Sequence, residues 1–309
     1  MVKRLDLGLP GKYQSMCQGV LDIMNLPDPL GRITYATKMD EGLNLRRVTC
    51  ALGVLLVIFE ARPEVVINIT ALALKSGNAA ILKGGKESIH TSSLLVRVVS
   101  HALSETDIPP ESIAYLTSRE QVASLLKMTQ SIDLVIPRGS NALVSSIQNS
   151  TKIPVMGHAD GRCCAYVHSD ADIAMARDVI LDSKIDYPAA CNALETLLVN
   201  EELVKDGRIK DIVAGLVEKK VELRCEEDIA KALKGVNGVV PATEEDVVTE
   251  FLDLRLYIRS VKTLDEAIVH TNTYSSHHTD TILTSSPELA EEFQRRVDSA
   301  GVYWNASTR

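Results

Sequence analysis

Several features that define whole classes of protein are missing from this sequence. The longest uninterrupted apolar run is short, from Cys50 to Phe59, whereas a membrane-spanning helix needs about 20 apolar residues. The amino terminus lacks the apolar core of a signal peptide. We therefore expect neither a membrane span nor export, and we place the protein in the cytoplasm.

Spaced metal ligands are missing as well. The six cysteines show no C-x-x-C spacing, which argues against a zinc site or a redox pair. Without an export signal we expect reduced thiols. The adjacent pair His277 and His278, if it lies on a strand, points to opposite faces. We assign no metal.

Positive charge is in short supply. The net charge is −8 and the isoelectric point is near 5.5, so nucleic acid and anionic membrane, both polyanions, are poor partners. The chain has neither an internal repeat nor a low-complexity linker. Its 309 residues are 45% hydrophobic, which is enough for two domains with substantial cores.

Short apolar runs alternate with helical patterns along most of the chain. This alternation predicts βαβ units and a doubly wound, mostly parallel sheet, followed by a second α/β domain. We place the domains at 1–160 and 161–309, with a β-hairpin at about 31–48. Strands are predicted at 54–59, 79–82, 113–116, 132–136 and 153–156 in the first domain, and at 165–167, 196–199, 221–224, 256–261, 281–283 and 302–304 in the second.

Two loops follow predicted strands of the first domain. Ligands of doubly wound sheets bind at the carboxyl ends of strands, so the loops after Lys83 and Ile136 are candidates for a cofactor. The first is glycine-rich, carries Lys86 and opens a helix, which favours a phosphate. Neither a P-loop nor G-x-G-x-x-G occurs in it, and glycine turns without a ligand are common.

Cys191 follows a proline and two alanines. A thiol at the start of a helical turn meets several N–H groups, which favour the thiolate. The alternative is a buried structural cysteine, and local sequence alone favours it because free cysteines are commonly buried. For the neighbouring pair Cys163 and Cys164 we expect packing, since adjacent cysteines form a strained disulfide.

Six motifs together resemble the γ-glutamyl phosphate reductases, a branch of the aldehyde dehydrogenase superfamily. They run in family order over nearly the whole chain. They are FEARP at 59–63, LKGGKE at 82–87, IPRG at 136–139, PVMGH at 154–158, YPAACN at 187–192 and NASTR at 305–309. The resemblance implies an aldehyde dehydrogenase-like fold, with an NADPH-binding domain at 1–160 and a catalytic domain at 161–309.

The resemblance also implies site residues. Cys191 is the expected nucleophile. The expected cofactor contacts are Lys83 at the adenosine ribose, Lys86 at the 2′-phosphate of NADPH, Gly139 and Ser140 near the pyrophosphate, and Glu250 at the nicotinamide ribose. The expected substrate contacts are His158, Asn192 and Asn305. His158 lies near the place where hydrolytic relatives carry a water-activating glutamate, and the absence of that acid suits an enzyme that must not hydrolyse its thioester.

The implied reaction is the NADPH-dependent reduction of γ-glutamyl phosphate to glutamate 5-semialdehyde in proline biosynthesis, through a cysteine thioester. The resemblance further implies a homo-oligomer. The chain stops at Arg309, where the family continues, and a family N-terminal helical stretch is absent, so we expect a chain truncated at both ends. Two alternatives stay open: an inactive chain that only binds nucleotide or associates with full-length subunits, and the reductase half of a bifunctional protein.

Overall fold

The structure, a computed structural model, describes residues 5–60, 62–158 and 160–309. Its contacts divide the chain into two compact units, unit 1 (Met1–Ala159) and unit 2 (Asp160–Arg309). The predicted first domain includes residues 1–4, 61 and 159, which lie outside the described residues. Across the described part of the chain, no helix is both long and apolar enough to cross a membrane.

The strands of unit 1 are β1 (Ile33–Asp40), β2 (Leu43–Val48), β3 (Val54–Phe59), β4 (Ala79–Lys83), β5 (Ile113–Leu116) and β6 (Leu134–Arg138). Four of them form a sheet in the order β5-β4-β3-β6, with every neighbouring pair parallel. The central strand β3 is apolar throughout and almost fully buried, as expected of a strand covered on both faces. The helices are α1 (Lys12–Asn25), α2 (Val65–Lys75), α3 (Ile89–Ser104), α4 (Arg119–Leu125) and α5 (Asn141–Ser150).

The predicted hairpin at 31–48 is present as β1 and β2, which pair antiparallel. Gly42 turns the chain with a φ of 76°, a left-handed conformation that glycine adopts without steric cost. Nearly every residue of both strands is exposed, so the ladder hydrogen bonds and the turn fix this hairpin.

The strands of unit 2 are β7 (Cys163–Val167), β8 (Leu194–Asn200), β9 (Glu222–Cys225), β10 (Val239–Pro241), β11 (Arg255–Val261), β12 (Thr279–Leu283) and β13 (Gly301–Trp304). They form one sheet in the order β10-β9-β11-β8-β7-β12-β13, again with all pairs parallel. Apolar clusters cover both faces of its centre. The helices are α6 (Ile173–Ile185), α7 (Glu201–Lys205), α8 (Ile209–Glu218), α9 (Glu227–Ala232), α10 (Leu264–Tyr274) and α11 (Pro287–Arg296).

The predicted α/β class with parallel sheets is confirmed, but the predicted strand at 153–156 is wrong. Only Val155 forms a bridge, with Val135 of β6. Pro154 has no N–H to donate to a ladder. After two hydrogen bonds to Val135 the chain leaves the sheet at Gly157, which packs against Pro137. A side chain at Gly157 would come within 2.7 Å of the Pro137 ring.

Candidate active site

Lys83 is the last residue of β4 and Gly84 follows it, at the carboxyl end where the sequence predicts a cofactor loop. The Lys83 side chain is buried, and its ammonium donates a hydrogen bond to the Gly84 carbonyl. A Cβ at Gly84 would lie 2.8 Å from the Tyr115 hydroxyl. That hydroxyl is buried and has no hydrogen-bond partner among the described residues. The loop thus offers a close backbone approach next to an unsatisfied polar atom, features that fit a polar ligand.

Lys86 lies on the same loop, and its side chain is exposed. It begins a 3₁₀ turn (Lys86–Ser88) that leads directly into α3, and neither element has a side-chain N-cap. The Ser118 hydroxyl is the main cause that lowers the pKa of Glu120, and the charge of Lys86 lowers it further. A cation therefore lies beside uncapped helical N–H groups, an arrangement that suits a phosphate.

Gly139 and Ser140 follow β6 and lead into α5. Ser140 is the N-cap residue of α5, but its side chain makes no capping hydrogen bond. The Glu60 carboxylate occupies this position: it accepts a hydrogen bond of 3.4 Å from the Ser140 N–H. It also lies 2.8 Å from where a Cβ of Gly139 would be. A carboxylate at this helix N-terminus stands in for an anionic ligand, so the turn has the polarity that a pyrophosphate needs. His158, also predicted, is half-buried in unit 1.

Cys191 lies in a turn directly before β8, and its side chain is exposed. The turn is closed by the Ala190 N–H bonded to the Tyr187 carbonyl at 2.9 Å and by the Ala193 N–H bonded to the Ala190 carbonyl at 3.0 Å. The expectation that Cys191 begins a helical turn is wrong, because a strand follows it. The alternative of a buried structural cysteine is also wrong, since the thiol is exposed.

The backbone of Gly161 lies against the backbone of Cys191. A Cβ at Gly161 would come within 2.2 Å of the Cys191 carbonyl oxygen and 2.4 Å of its Cα, so only glycine fits. Glu250 holds this contact, because its carboxylate accepts a hydrogen bond of 2.8 Å from the Gly161 N–H. Burial raises the pKa of Glu250. The Cys163 thiol donates to the Cys191 carbonyl at 3.4 Å.

The residues around Cys191 come from the amino ends of four adjacent strands. Cys191 precedes β8, Gly161 precedes β7, Glu250 precedes β11 and His278 directly precedes β12. These strands are consecutive in the sheet, in the order β11-β8-β7-β12. In a parallel sheet all amino ends meet at one edge, so four distant segments converge there. The carboxyl-end rule that predicts cofactor loops in unit 1 does not predict this cluster.

His278 was not predicted as a site residue. One of its ring nitrogens lies within 4.8 Å of the Cys191 sulfur, and its Nδ1 is 2.7 Å from the Thr279 hydroxyl. The premise that His277 and His278 lie on a strand is wrong: both lie in the turn ahead of β12. A histidine three residues before the predicted strand at 281–283 was the available signal, but the nearness of His278 to Cys191 depends on the strand order.

Arg309 connects the two sides of the Cys191 turn. Its guanidinium donates to the Asp186 carboxylate at 2.6 Å and to the Asn192 side-chain oxygen at 2.5 Å. Because Arg309 takes the oxygen of the Asn192 amide, it fixes which way the amide NH₂ points. Asn305 has a different role, because its amide bonds the N–H and the carbonyl of Thr284 at 3.1 and 2.9 Å. Its φ of 51° is one that asparagine tolerates.

Among the described residues, the other thiols of unit 2 differ from Cys191. Cys163 and Cys164 are buried and free, which confirms that they pack without forming a disulfide. Burial raises the pKa of both well above the usual range, and it raises the pKa of Cys225 to about 12. These three therefore stay neutral thiols near pH 7, and an exposed thiol is found at Cys191.

A cavity of about 1080 Å³ in unit 2 lies beside the carboxyl ends of β9 and β10. Its lining includes Tyr257, Arg259 and Lys231. None of the lining residues in the described chain belongs to the predicted site. This cavity is therefore separate from the cluster of residues around Cys191.

Comparison with known proteins places these features in one family. A sequence model of the aldehyde dehydrogenase family matches residues 36–248. A curated relative from Schizosaccharomyces pombe, a probable γ-glutamyl phosphate reductase, is 53% identical over 313 residues, which is 100% of this chain and 69% of that protein. The γ-glutamyl phosphate reductase of Saccharomyces cerevisiae is 46% identical over 328 residues, covering 100% of this chain and 71% of that protein.

A solved structure agrees with this relationship. The crystal structure of γ-glutamyl phosphate reductase from Thermotoga maritima superposes with a TM-score of 0.94 at 37% identity. The match covers 100% of this chain and 74% of that one. The likeness therefore extends over both units.

Proposed function

Because this chain belongs to the γ-glutamyl phosphate reductases of the aldehyde dehydrogenase family, we propose that it reduces γ-glutamyl phosphate to glutamate 5-semialdehyde in proline biosynthesis. Family membership makes it an oxidoreductase. The finer proposal is that NADPH is the reductant and that the reaction passes through a thioester on Cys191. The observation that carries it is an exposed thiol in a turn braced by the Gly161 backbone.

Attack by the Cys191 thiolate on the acyl carbon forms the thioester, and the C–O bond to phosphate breaks as inorganic phosphate leaves. The buried thiols of Cys163 and Cys164 are unsuited to this step, since burial keeps them protonated. Cys191 is exposed. Position and exposure therefore favour Cys191 as the nucleophile.

The tetrahedral intermediates carry a negative oxygen that needs hydrogen-bond donors. We assign this role to the side-chain NH₂ of Asn192. Arg309 holds the oxygen of that amide at 2.5 Å, so the amide cannot flip without losing a charge-assisted hydrogen bond. Arg309 therefore acts as a positioning residue for Asn192. We leave Asn305 out of the substrate site, because both polar atoms of its amide already bond Thr284.

NADPH, when bound, supplies the hydride that reduces the thioester. Unit 1 fits such a cofactor at three places. Gly84 allows a close approach beside the buried Tyr115 hydroxyl, and the Ser140 N–H already donates to a carboxylate. Lys86 places an exposed cation at an uncapped helical start, which suits the 2′-phosphate. Lys83 is proposed for the adenosine ribose.

For Glu250 the proposed ribose contact comes second to a structural role. Its carboxylate bonds the Gly161 N–H, and Gly161 in turn packs on the Cys191 backbone. We therefore assign Glu250 first to supporting the turn that carries the thiol. The family resemblance also leads us to propose a cytoplasmic homo-oligomer. Light scattering on the purified chain tests the oligomeric state.

The proposal is tested in the reverse direction, by following NADP reduction with glutamate 5-semialdehyde. We expect repeated turnover to NADPH only when inorganic phosphate is present, because phosphate releases the acyl group from the thioester after the first hydride transfer. Cys191→Ala should abolish turnover and leave NADPH binding unchanged. The matched control is Cys17→Ser, which removes another exposed thiol and should keep full activity. Activity in Cys191→Ala, or turnover without phosphate, contradicts the proposal.

A further inference from the structure

Resting on the proposed function, we propose that His278 takes the proton of the Cys191 thiol and delivers it to the departing phosphate. The imidazole of His278 is then a second catalytic group for the reaction, one that the sequence motifs did not indicate. It follows from where the turn ahead of β12 places the imidazole.

The geometry suits a thiol and its base. A ring nitrogen of His278 lies within 4.8 Å of the Cys191 sulfur. Contacts between a catalytic base and its proton donor are often long without substrate and shorten in the complex. The Thr279 hydroxyl engages Nδ1 at 2.7 Å. The hydroxyl thereby helps to orient the ring. His278 is half-buried, so the imidazole is partly shielded from water.

The turn that carries His278 is held firmly. The Arg162 N–H donates to the Ser276 hydroxyl at 2.9 Å, and the Ser276 N–H returns a hydrogen bond of 3.1 Å to the Arg162 carbonyl. This pair ties the turn to the segment that contains Gly161. His277 adopts a φ of 57°, a left-handed conformation that histidine adopts more often than most other residues do.

The buried carboxylate of Asp280 fixes the turn from below. It accepts hydrogen bonds from the Cys164 N–H at 2.7 Å and the Ser275 hydroxyl at 3.2 Å, and from the Ser299 hydroxyl. Burial raises its pKa to about 6. Asp280 supports the backbone here, and it is fully buried.

The charged groups that face the pair favour an imidazolium. Burial raises the pKa of Glu250, and the charge of His278 lowers it again, which places the carboxylate within electrostatic range of the imidazole. A nearby carboxylate stabilises protonated histidine. Arg162 opposes this effect, but Asp160 lies 3.7 Å from its guanidinium and offsets it. Cys163, next to Cys191, is neutral because burial raises its pKa.

The protons balance over one cycle. His278 removes the proton from the Cys191 sulfur, the thiolate bonds to the acyl carbon, and the imidazolium gives that proton to phosphate as the C–O bond breaks. Hydride addition to the thioester leaves a negative oxygen. Its collapse breaks the C–S bond, releases the aldehyde and regenerates the thiolate. One proton from solvent then restores the starting pair, so each turnover consumes one proton and one hydride.

The test is the pH dependence of alkylation of Cys191 by iodoacetamide, followed by mass spectrometry of its peptide. An ordinary cysteine has a pKa of about 8.5. We expect the wild-type midpoint to lie below that value and His278→Gln to raise it by about one unit or more, because glutamine accepts no proton. The same variant should slow reductase turnover at least tenfold at pH 7.

The neighbouring His277 provides the matched control. Its side chain is exposed and bonds the Asp298 carbonyl, so His277→Gln should leave the midpoint unchanged. His278→Ala serves as a second variant, and thermal melts identify any variant that is misfolded. Equal midpoints in wild type and both His278 variants overturn the proton transfer.

The two proposals fail in different ways. If the wild type shows phosphate-dependent turnover and Cys191→Ala abolishes it, equal midpoints refute His278 alone. If no phosphate-dependent turnover occurs in the wild type while His278→Gln still raises the midpoint, the thiol and imidazole pair stands and the assigned reaction is wrong.

Discussion

The backbone contact between Gly161 and Cys191 can be tested with a single methyl group. Gly161→Ala places a Cβ within 2.2 Å of the Cys191 carbonyl oxygen and 2.4 Å of its Cα. Both neighbours are backbone atoms, so no side-chain rotation relieves the overlap. Gly161 does not have a positive φ, so alanine can adopt its backbone conformation. The mutation therefore acts through the steric overlap.

The expected magnitude follows from the displacement. An ordinary contact needs at least 3.4 Å, so the two backbones must separate by about 1 Å. Overpacking of this kind costs about 1–3 kcal/mol of unfolding free energy. A misplacement of roughly 1 Å at a reacting group reduces the rate on the order of 100-fold. We therefore expect kcat/KM to fall about 100-fold.

The assay combines phosphate-dependent NADP reduction, the alkylation rate of Cys191 and a urea melt. Gly19→Ala is the control. Gly19 lies within helix α1, and its new Cβ would be 3.5 Å from the Asn68 side chain, which is an ordinary contact. We expect this variant to keep activity and to gain up to about 1 kcal/mol of stability. Wild-type kcat/KM and wild-type alkylation in Gly161→Ala would refute the reasoning.

Three further predictions concern other parts of the molecule. Lys86→Glu should weaken NADPH binding roughly tenfold to a hundredfold, as expected for the loss of a contact worth about 1.5–3 kcal/mol, and leave NADH little changed; equal effects on the two in paired titrations would exclude Lys86 from the 2′-phosphate site. Lys184 and Glu195 form a fully buried ion pair of 2.9 Å, so Lys184→Met should lower the unfolding free energy in a urea melt by about 3–5 kcal/mol. The double change Lys184→Met with Glu195→Gln should lower it by less. Equal losses in the two variants would show that Lys184→Met leaves no unpaired buried charge at Glu195. Burial lowers the pKa of His270 to about 4. Its contribution to stability is therefore present above its unfolded pKa of about 6.5 and is lost as the pH falls through 4. The difference in unfolding free energy between wild type and His270→Phe should change by about 3 kcal/mol over that window, and a constant difference would contradict the shift.

The sequence predicted the strands of unit 1 well where an apolar run is isolated by turn residues. The bounds of β3 and β5 agree with the prediction because each run is short and flanked by polar or glycine residues. The run at 153–156 looked similar, yet it forms a single bridge. The difference is Pro154, which has no N–H for a ladder. The same property could have been used in the prediction.

The site was harder to predict, because it depends on strand order. Gly161, Glu250 and His278 are near Cys191 only since β7, β11 and β12 lie around β8 in the sheet. Local sequence does not encode that order. Local sequence also favoured a buried Cys191, because free cysteines are commonly buried, whereas the thiol is exposed. Motif resemblance, rather than local pattern, singled out Cys191 for testing.

The acyl-enzyme itself offers the most direct measurement of the central claim. Wild type is mixed with glutamate 5-semialdehyde and NADP without phosphate and quenched in acid within the first turnover. We predict a burst of one NADPH per active chain and an acyl group on the peptide that contains Cys191, with the group discharged when phosphate is added before the quench. A burst without an adduct on Cys191, or an adduct on another residue, would contradict the account.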